Sequence, residues 1–445
     1  MRTFSVVRAA ARIGACAVAA GLAATAMAAP AFAVSDTLWI QAPYESALLK
    51  AADGAQQGPA TTLGLGLYHD NATYTVTDGR LTVDVSGLAG VADVTWPANC
   101  APSGTTAVCT VPQVPTEYAT QIQLTVRAAA GVEVGATGRI TYQAKATTTG
   151  GELTAPQGFE TTLRVTSGPD LALSGPSRAE GVTPGATVPV PFSVVNNGNE
   201  AARGVQVTLY ATRGLLLDGL APECTSTPVG EGTDAVKPVT RVDCAFDDVV
   251  EPGGSFTLPQ QVRATVAPYA LSERVDIVAD PRGAEDVSPS DNGTVAEVKA
   301  VNTADFAVRG ARVSGAAGET VRAALTFRNR GPAWIANLGS GDPVGVVDFT
   351  VPQGATVTGV PENCSGRTLQ GDWYDGTVGA PRYVCDLPMW VAEKQTVTLP
   401  FQLRVDTVIP RATGAVTLKP PYGDGFAFDP NTANHQAKLV LNPPA

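Results

Sequence analysis

Seven cysteines occur in the 445-residue chain, and six of them form three pairs with matching surroundings. The first cysteine of each pair follows a turn sequence that contains proline (WPAN, LAPE or VPEN), and the second follows a segment that contains valine. Equivalent cysteines recur at intervals of roughly 130 residues, and a fixed period of this kind marks duplicated modules. The chain is therefore predicted to hold three repeats, at 34–167, 168–301 and 302–445, with the pairs Cys100 and Cys109, Cys224 and Cys244, and Cys364 and Cys385.

The segments that follow each cysteine pair alternate apolar and polar residues. They read TQIQLTVRA at 120–128, FTLPQQVRATV at 256–266 and VTLPFQLRV at 397–405. Alternation with period two, bounded by Gly, Pro, Asn and Asp, is typical of strands with one buried face. About seven such strands in each repeat predict an all-β chain of antiparallel sandwiches. A short helix is expected only at 46–52.

The cysteines are expected to form disulfides, because an even number of cysteines in a secreted chain usually does so. Six cysteines allow 15 connectivities, and the matched contexts favour pairing within each repeat. A structural zinc site would need four ligands with C-x2-C or histidine partners, and the chain has only His69 and His435. In the chain-entropy model each bridge contributes about 3 kcal/mol, and somewhat less for the shortest loop.

The first 33 residues have the three parts of an export signal. Arginines precede an uncharged, Ala-rich segment at 13–27, and an A-x-A cleavage box follows at 31–33. The apolar segment is shorter than the roughly 20 residues that span a bilayer, so no membrane insertion is expected. Cys16 is not expected to carry a lipid, because Arg12 leaves too short an apolar segment before it. The sequence therefore predicts a secreted, extracellular protein, with association to the cell wall as a further expectation.

The charge of the chain and its motifs exclude several functions. The formal net charge is −11, and an acidic chain without a basic cluster repels nucleic acids and anionic membranes. Nucleophilic, metalloprotease, Walker and dinucleotide motifs are missing, and the two histidines belong to different repeats. We therefore expect no catalytic residues and no cofactor. A hydrolase built on Asp372 and Asp375 is the weakest alternative, because no supporting motif accompanies these acids.

Several motifs of the second and third repeats occur in the same order. The repeats open with PDLALSG at 169 and ADFAVRG at 304, continue with N-x-G at Asn196 and Asn329, and contain the cysteine pair. The second repeat adds V-x-V-T at 205–208 and closes with D-x-x-P-x-x-N from Asp286. This combination resembles the immunoglobulin-like repeats of bacterial surface proteins, a family of unknown function close to the adhesion-related CARDB modules. The resemblance implies extracellular immunoglobulin-like sandwiches that serve as stalks or binding modules. The first repeat lacks the opening, and the third departs from the pattern through an insertion at 334–343.

One loop carries the best candidates for ligand contact. Between Cys364 and Cys385, two adjacent aromatic residues are flanked by acids, in the order Asp372, Trp373, Tyr374 and Asp375. Exposed rings beside carboxylates can stack on sugars and accept hydroxyl hydrogen bonds. Alternatively, one ring packs onto the sandwich, since adjacent residues of an extended chain face opposite ways.

The preferred function is a non-enzymatic structural or interaction protein that acts at the bacterial cell surface or wall. Its partner would be a cell-wall polymer or another extracellular protein, and the oligomeric state is left open. The alternative function is an extracellular carbohydrate-binding array that uses the loop of Trp373 and Tyr374.

Carboxylates also crowd the end of the second repeat. Hard oxygen ligands of this kind suit calcium, which tandem extracellular domains can hold at their junctions. No D-x-D-x-D-G spacing is present, so solvated acidic loops are the main expectation and calcium is the alternative. The residues concerned are Asp276, Asp280, Glu285, Asp286, Asp291, Asn292 and Asp305.

Overall fold

The computed structural model describes residues 36–52, 56–230 and 237–442. The predicted signal peptide at 1–33, including Cys16, lies outside these residues. Within them the regular secondary structure consists of strands, apart from one 3-10 turn at Thr432–Asn434. Among the described residues there is no helix with the length and apolarity needed to cross a membrane. The predicted all-β class is confirmed.

The first repeat contains two facing sheets. One sheet has the order β1-β3-β8-β5, and the other has the order β2-β11-β9-β4-β7-β6, with β10 on β9. The strands are β1 Leu38–Gln41, β2 Glu45–Leu49, β3 Thr61–His69, β4 Val76–Gly87, β5 Ala92–Thr95, β6 Cys100–Ser103, β7 Thr106–Val114, β8 Ile122–Ala128, β9 Thr137–Thr148, β10 Gly151–Thr154 and β11 Glu160–Thr166.

The second repeat keeps the larger sheet, in the order β13-β23-β22-β16-β19-β18. Its smaller layer is divided into two three-stranded sheets, β12-β15-β20 and β14-β21-β17. The strands are β12 Leu171–Ser174, β13 Ser177–Val182, β14 Thr187–Pro189, β15 Ser193–Asn196, β16 Ala202–Thr212, β17 Leu215–Asp218, β18 Cys224–Val229, β19 Val239–Val250, β20 Ser255–Phe256, β21 Arg263–Val266, β22 Ser272–Pro281 and β23 Gly293–Ala300.

The third repeat has the sheets β24-β26-β33-β29 and β25-β35-β34-β28-β31-β30, with a two-stranded sheet of β27 and β32. The strands are β24 Phe306–Arg309, β25 Arg312–Val313, β26 Thr320–Asn329, β27 Ile335–Ala336, β28 Val346–Thr350, β29 Ala355–Gly359, β30 Cys364–Arg367, β31 Arg382–Asp386, β32 Trp390–Val391, β33 Thr396–Val405, β34 Ala412–Lys419 and β35 Gln436–Leu441.

Strand pairing follows the same plan in each repeat. All pairs are antiparallel except one, in which a short early strand lies parallel to the last strand: β2 with β11, β13 with β23, and β25 with β35. The first strand of each repeat thus belongs to the smaller layer and the second to the larger sheet, as in an immunoglobulin-like sandwich. Alternation is regular along β9, where every second residue from 138 to 146 is buried. The described residues therefore form antiparallel sheets that pack as immunoglobulin-like sandwiches.

Buried hydrophobic side chains form three separate clusters. The clusters run from Leu38 to Val165, from Leu171 to Ala300 and from Ala304 to Leu441. Each draws on both sheets of its repeat, so the core lies between the layers, as it does in other sandwiches. Aromatic packing is densest in the third cluster, where Phe306 contacts Phe327 edge to face at 4.9 Å between ring centroids.

Three disulfides are present, so the expectation of disulfide bonds is confirmed. They join Cys100 to Cys109, Cys224 to Cys244 and Cys364 to Cys385. In each, the two cysteines lie directly opposite one another on adjacent strands, and the first strand is the edge of the larger sheet. Antibody domains instead join their two sheets. Here the bridges fasten an edge strand, which is the part of a sheet most exposed to unwanted pairing.

The N-x-G motif of the second and third repeats contains a buried asparagine that hydrogen-bonds to backbone groups of neighbouring segments. Asn196 donates from Nδ2 to the carbonyls of Glu200 and Val250, and its Oδ1 accepts the N–H of Asp170. Asn329 makes the equivalent bonds to two carbonyls of the third repeat. A buried amide with its donors and acceptor satisfied specifies one geometry, because leaving it unpaired would be costly.

Three local expectations are corrected. The segment at 46–52 holds part of strand β2 rather than a helix, because it pairs with β11 and buries Leu48. The segment 256–266 is broken between β20 and β21, with Pro259 in the interruption, since proline cannot donate to a ladder. The first repeat lacks the opening motif but has the opening strand, because β1 pairs with β3 as β12 pairs with β15.

Candidate functional site

The aromatic loop, defined here as residues 368–380, connects β30 to β31 beside the third disulfide. Its reversals depend on glycine, since Gly371 and Gly376 have φ angles of 104° and 110°, which side chains of other residues rarely adopt. A short turn is closed by hydrogen bonds from the Thr368 N–H to the Asp372 carbonyl and from the Gly371 N–H to the Thr368 carbonyl. The loop therefore has a defined backbone conformation, held by its own hydrogen bonds and by the strands on either side.

The two aromatic rings of this loop have different environments. Trp373 is 75 % exposed, and the guanidinium carbon of Arg367 lies 3.3 Å from the centroid of its ring. Tyr374 is partly buried against the core of the third repeat, and its N–H donates to the carbonyl of Gly366. The arginine fixes one face of the indole through a cation–π contact, and the tryptophan is presented to solvent. Asp372 and Asp375 are exposed beside it.

The aromatic loop also exposes aliphatic side chains. Leu369 is 60 % exposed and Val378 is 48 % exposed. Together with Trp373 they give the loop three protruding apolar side chains, and exposed apolar groups that lie together mark contact sites more often than scattered ones do. Sequence reasoning identified the aromatic and acidic residues of this loop but not its aliphatic members.

A second feature is the junction between the second and third repeats, where Glu273 is buried and accepts four hydrogen bonds. The donors within its own repeat are the Thr212 hydroxyl and the backbone N–H groups of Gly214 and Leu271. The fourth donor is Nε1 of Trp334 from the third repeat, at 2.6 Å from Oε1. Burial raises the pKa of Glu273, and the four hydrogen bonds oppose that rise.

Charged and aromatic groups surround this junction. The guanidinium of Arg213 binds both carboxylate oxygens of Glu393 in the third repeat, at 2.5 and 2.9 Å, and its carbon lies 4.3 Å from the ring centroid of Tyr269. Burial tends to raise the pKa of Glu393, but the hydrogen bonds to Arg213 and to backbone, together with the charges of Arg213 and Lys394, leave that pKa below its usual value. Trp334 begins the insertion noted in the sequence, so the insertion supplies the junction.

The first junction uses the equivalent turn. Asn199 lies just beyond the N-x-G motif of the second repeat, and its Nδ2 donates to the carbonyl of Lys50 in the first repeat at 2.7 Å. Its Oδ1 accepts the N–H of Gly168 in the linker at 2.9 Å. In both junctions, therefore, the turn after the N-x-G strand docks on the preceding repeat.

The carboxylates considered for calcium separate into distinct places. Asp276 pairs with Arg274, and Asp280 accepts a hydrogen bond from Asn292. Asp305 accepts hydrogen bonds from amides of the third repeat. Only Asp286 and Asp291 come together, and they do so around Asp170, which the sequence interpretation had placed in the opening motif alone.

Both histidines are structural partners of buried aspartates. His69 Nδ1 lies 2.9 Å from Oδ2 of Asp36, and His435 Nε2 lies 2.9 Å from Oδ2 of Asp429. The side chain of His435 is only 12 % exposed and packs on Phe426. Among the described residues, neither imidazole has a hydroxyl or thiol as a hydrogen-bond partner.

Comparisons with known proteins identify no family. No protein-family model matches the chain, and no curated protein matches it. Solved structures with partial likeness include the C-terminal domain of the Streptococcus agalactiae AgI/II polypeptide BspA, at 9% identity, with 62% of this chain and 99% of that chain covered and a TM-score of 0.18.

Two further structures with partial likeness come from multidomain proteins. One is Drosophila N-cadherin EC1-4, at 10% identity with 92% and 76% coverage and a TM-score of 0.21. The other is the complex of Dpr2 Ig1-Ig2 with DIP-Theta Ig1-Ig3, at 10% identity with 92% and 100% coverage and a TM-score of 0.24. Likeness at these TM-scores carries no information about function.

Proposed function

We propose that this chain is a secreted, non-enzymatic structural and interaction protein of the bacterial cell surface or wall. In this proposal its three repeats are consecutive modules, at 34–167, 168–301 and 302–445. The modules position the aromatic loop of the third repeat for contact with a partner in the envelope. The single observation that carries the proposal is the junction at which Trp334 donates to the buried carboxylate of Glu273.

The junction supports a structural role because its contacts fix orientation. Trp334 is 2 % exposed and Glu273 is 3 % exposed, so the hydrogen bond between them is shielded from water. A buried carboxylate must be fully hydrogen-bonded to be tolerated, and here one of its four donors belongs to the next repeat. Separation or rotation of the repeats would remove one of the four hydrogen bonds to that carboxylate. The contact therefore favours one relative orientation of the two repeats.

Disulfides support an extracellular location. Bridges of this kind persist in oxidising compartments and are rare in the cytosol. All six cysteines of the repeats are bonded. They stabilise the edge strands against unfolding and pairing outside the cell, and none is left for catalysis or metal binding.

The exposed side chains of the aromatic loop favour binding to an apolar surface of a partner. Trp373 has one face on Arg367, and Leu369 and Val378 are exposed in the same loop. Aromatic residues that are held in place lose little conformational entropy on binding, which is why they are enriched at protein contacts. A carbohydrate-binding array that stacks sugars on Trp373 is the alternative, with Asp372 and Asp375 as acceptors for sugar hydroxyls.

The test is retention of the purified protein on isolated bacterial cell envelopes, which contain both wall polymer and surface proteins. The variant is Trp373→Ala, and the matched control is Tyr422→Ala, since Tyr422 is also 75 % exposed and lies in the same repeat. We expect Trp373→Ala to weaken retention by at least about tenfold, the effect of losing an aromatic anchor worth about 1.4 kcal/mol or more, and Tyr422→Ala to leave it unchanged.

Each outcome decides part of the proposal. No retention of the wild-type protein would refute an interaction role at the envelope. Equal effects of both variants would refute the aromatic loop as the contact. Retention that persists on envelopes stripped of protein, together with binding to a glycan array, would favour the carbohydrate-binding alternative. Release of soluble fragments from the envelope would show catalysis and refute the non-enzymatic assignment.

A further inference from the structure

Three aspartates from distant parts of the second repeat meet at the junction with the first repeat. Asp170 precedes β12, whereas Asp286 and Asp291 belong to the closing loop, yet one carboxylate oxygen of each lies within 4.8 Å of the other two. The backbone N–H groups of Leu171 and Ser288 donate to Asp286, which fixes its position. The closing loop therefore brings three formal negative charges into one small volume.

Buried oxygen atoms in this cluster lack hydrogen-bond partners. Asp170 is 8 % exposed, and its Oδ1 is buried without a partner. Oδ1 of Asp291 and Oδ1 of the following Asn292 are also buried without a partner. Unpaired buried oxygens are rare in folded proteins, because each costs the energy of its lost hydration. A set of carboxylate oxygens converging on one point calls for a cation or for protons.

The third repeat has the same loop with two carboxylates instead of three. Asp429 accepts the backbone N–H of Phe306 as Asp286 accepts that of Leu171. The position of Asp291 is taken by Asn434, whose Nδ2 donates to Asp305 at 2.5 Å. An amide and a histidine thus satisfy the third-repeat carboxylates from within the protein. The second repeat has a third carboxylate, Asp291, in place of the amide, so this amide donor is lost and one more negative charge is added.

The surroundings of the cluster make it accessible. An open cavity of about 620 Å³ is lined by Asp170 and the closing loop on one side and by first-repeat residues that include Glu45 and Arg164 on the other. Arg164 is directed to Glu45, with 3.6 Å between Nε and Oε1, so the acids of the cluster are not neutralised by this arginine. The cavity gives a hydrated ion a route to the cluster.

We propose that Asp170, Asp286 and Asp291 bind a calcium ion at the junction of the first and second repeats. Calcium takes six to eight oxygen ligands in flexible geometry, and carboxylates with bound water supply them in extracellular modules. The ion would neutralise the three carboxylates and connect the opening and the end of the repeat beside the first-repeat surface. This site goes beyond the proposed function, because it concerns the first junction and does not involve the aromatic loop.

The experiment is calorimetric titration of the calcium-free full chain with calcium chloride, combined with thermal unfolding in calcium and in chelator. We expect binding with a dissociation constant of about 10⁻⁴ to 10⁻³ M, the range of extracellular calcium modules. Millimolar calcium should raise the unfolding midpoint of the affected transition by roughly 2–4 °C.

The variants are Asp291→Asn and Asp170→Asn, with Asp305→Asn as the matched control at the equivalent of Asp170 in the third repeat. Asp291→Asn copies the arrangement at Asn434, so it should fold and should raise the midpoint in chelator. It should weaken calcium binding at least tenfold, whereas Asp305→Asn should leave calcium binding unchanged. A raised unfolding midpoint of Asp291→Asn in chelator would show that this variant folds, so that its weaker calcium binding reflects loss of the site.

Three outcomes would overturn the proposal. The first is a wild-type protein whose heat of titration and midpoint do not respond to calcium. The second is an equal response to magnesium, whose smaller and stricter octahedral shell does not suit this site. The third is a calcium response that Asp305→Asn reduces as much as Asp291→Asn does. Any of these would refute a calcium site at the cluster, and the first would leave protons as its counter-charge.

Discussion

Replacement of Trp334 by phenylalanine is the most informative perturbation of the junction between the second and third repeats. The change keeps an aromatic ring but removes Nε1–H, which donates to Oε1 of Glu273 at 2.6 Å. Hydrogen bonds to charged groups contribute about 1.5–3 kcal/mol, and a buried acceptor that loses its donor also loses solvation. Thr212 and two backbone N–H groups remain as donors. We therefore expect a loss of about 2 kcal/mol in the free energy of unfolding, a factor of about 30 in the folded-to-unfolded ratio.

The assay is urea unfolding of the full chain, followed by circular dichroism, and completed as a double-mutant cycle with Glu273→Gln. If the two side chains interact as the structure indicates, the double variant should be less destabilised than the sum of the single variants by about 1–2 kcal/mol. Trp373→Phe is the matched control, because its ring is 75 % exposed and Arg367 contacts its face rather than its nitrogen. This control should change stability by less than about 0.5 kcal/mol.

Additive effects of the two substitutions would show that Trp334 and Glu273 do not interact. If Trp334→Phe and Glu273→Gln combine within about 0.3–0.5 kcal/mol of their sum, the two residues are independent. Equal effects of Trp334→Phe and Trp373→Phe would lead to the same conclusion. In either case the hydrogen bond would not contribute to holding the repeats together.

Three further predictions concern single repeats. Cys364→Ser combined with Cys385→Ser opens a loop with a sequence separation of 21 and should lower the unfolding free energy in urea by about 3 kcal/mol. Burial alone would raise the pKa of Asp348, but Arg382 and Lys419 together hold it below its usual value. The stability that Asp348 contributes should therefore be present above pH 4 and be lost on acidification, and Asp348→Asn should match the wild type only at low pH. Burial and the neighbouring aspartates raise the pKa of Asp170 to about 7; in chelator, stability should therefore fall as pH rises from about 4 to about 7, by at most about 4 kcal/mol, and Asp170→Asn should remove that fall.

The repeats, the strand class and the disulfides could be predicted because local patterns encode them. Period-two alternation and turn residues are set by near neighbours in the chain, and duplication displayed the same cysteine contexts three times. The break between β20 and β21 was missed, although Pro259 was visible. Pro400 lies within β33 without breaking it, because that position pairs on one side only, with Ala324. Whether a proline ends a strand depends on neighbours that the local sequence does not identify.

The junction and the aspartate cluster could not be predicted, because distant segments form them. Trp334 was interpreted as part of an insertion, and its partner Glu273 lies in another repeat within an otherwise ordinary strand. The sequence did contain an indication, because two large apolar residues, Trp334 and Ile335, follow closely after the N-x-G turn and are not expected in a solvated loop. For Asp170, the signal was its recurrence as Asp305 in the opening motif. An aspartate directly before an apolar strand indicates a buried carboxylate, but the sequence analysis treated Asp170 only as part of the opening motif.

If the contact between Trp334 and Glu273 holds the second and third repeats in one orientation, the distance between them should be fixed. This distance can be measured as the distribution between two spin labels, attached through a ketone-bearing amino acid at the exposed positions Asp248 and Arg322, so that the disulfides are untouched. We expect one narrow distribution in the wild-type chain and a broader one in Trp334→Ala. A broad distribution in the wild type, or one that Trp334→Ala leaves unchanged, would contradict this expectation.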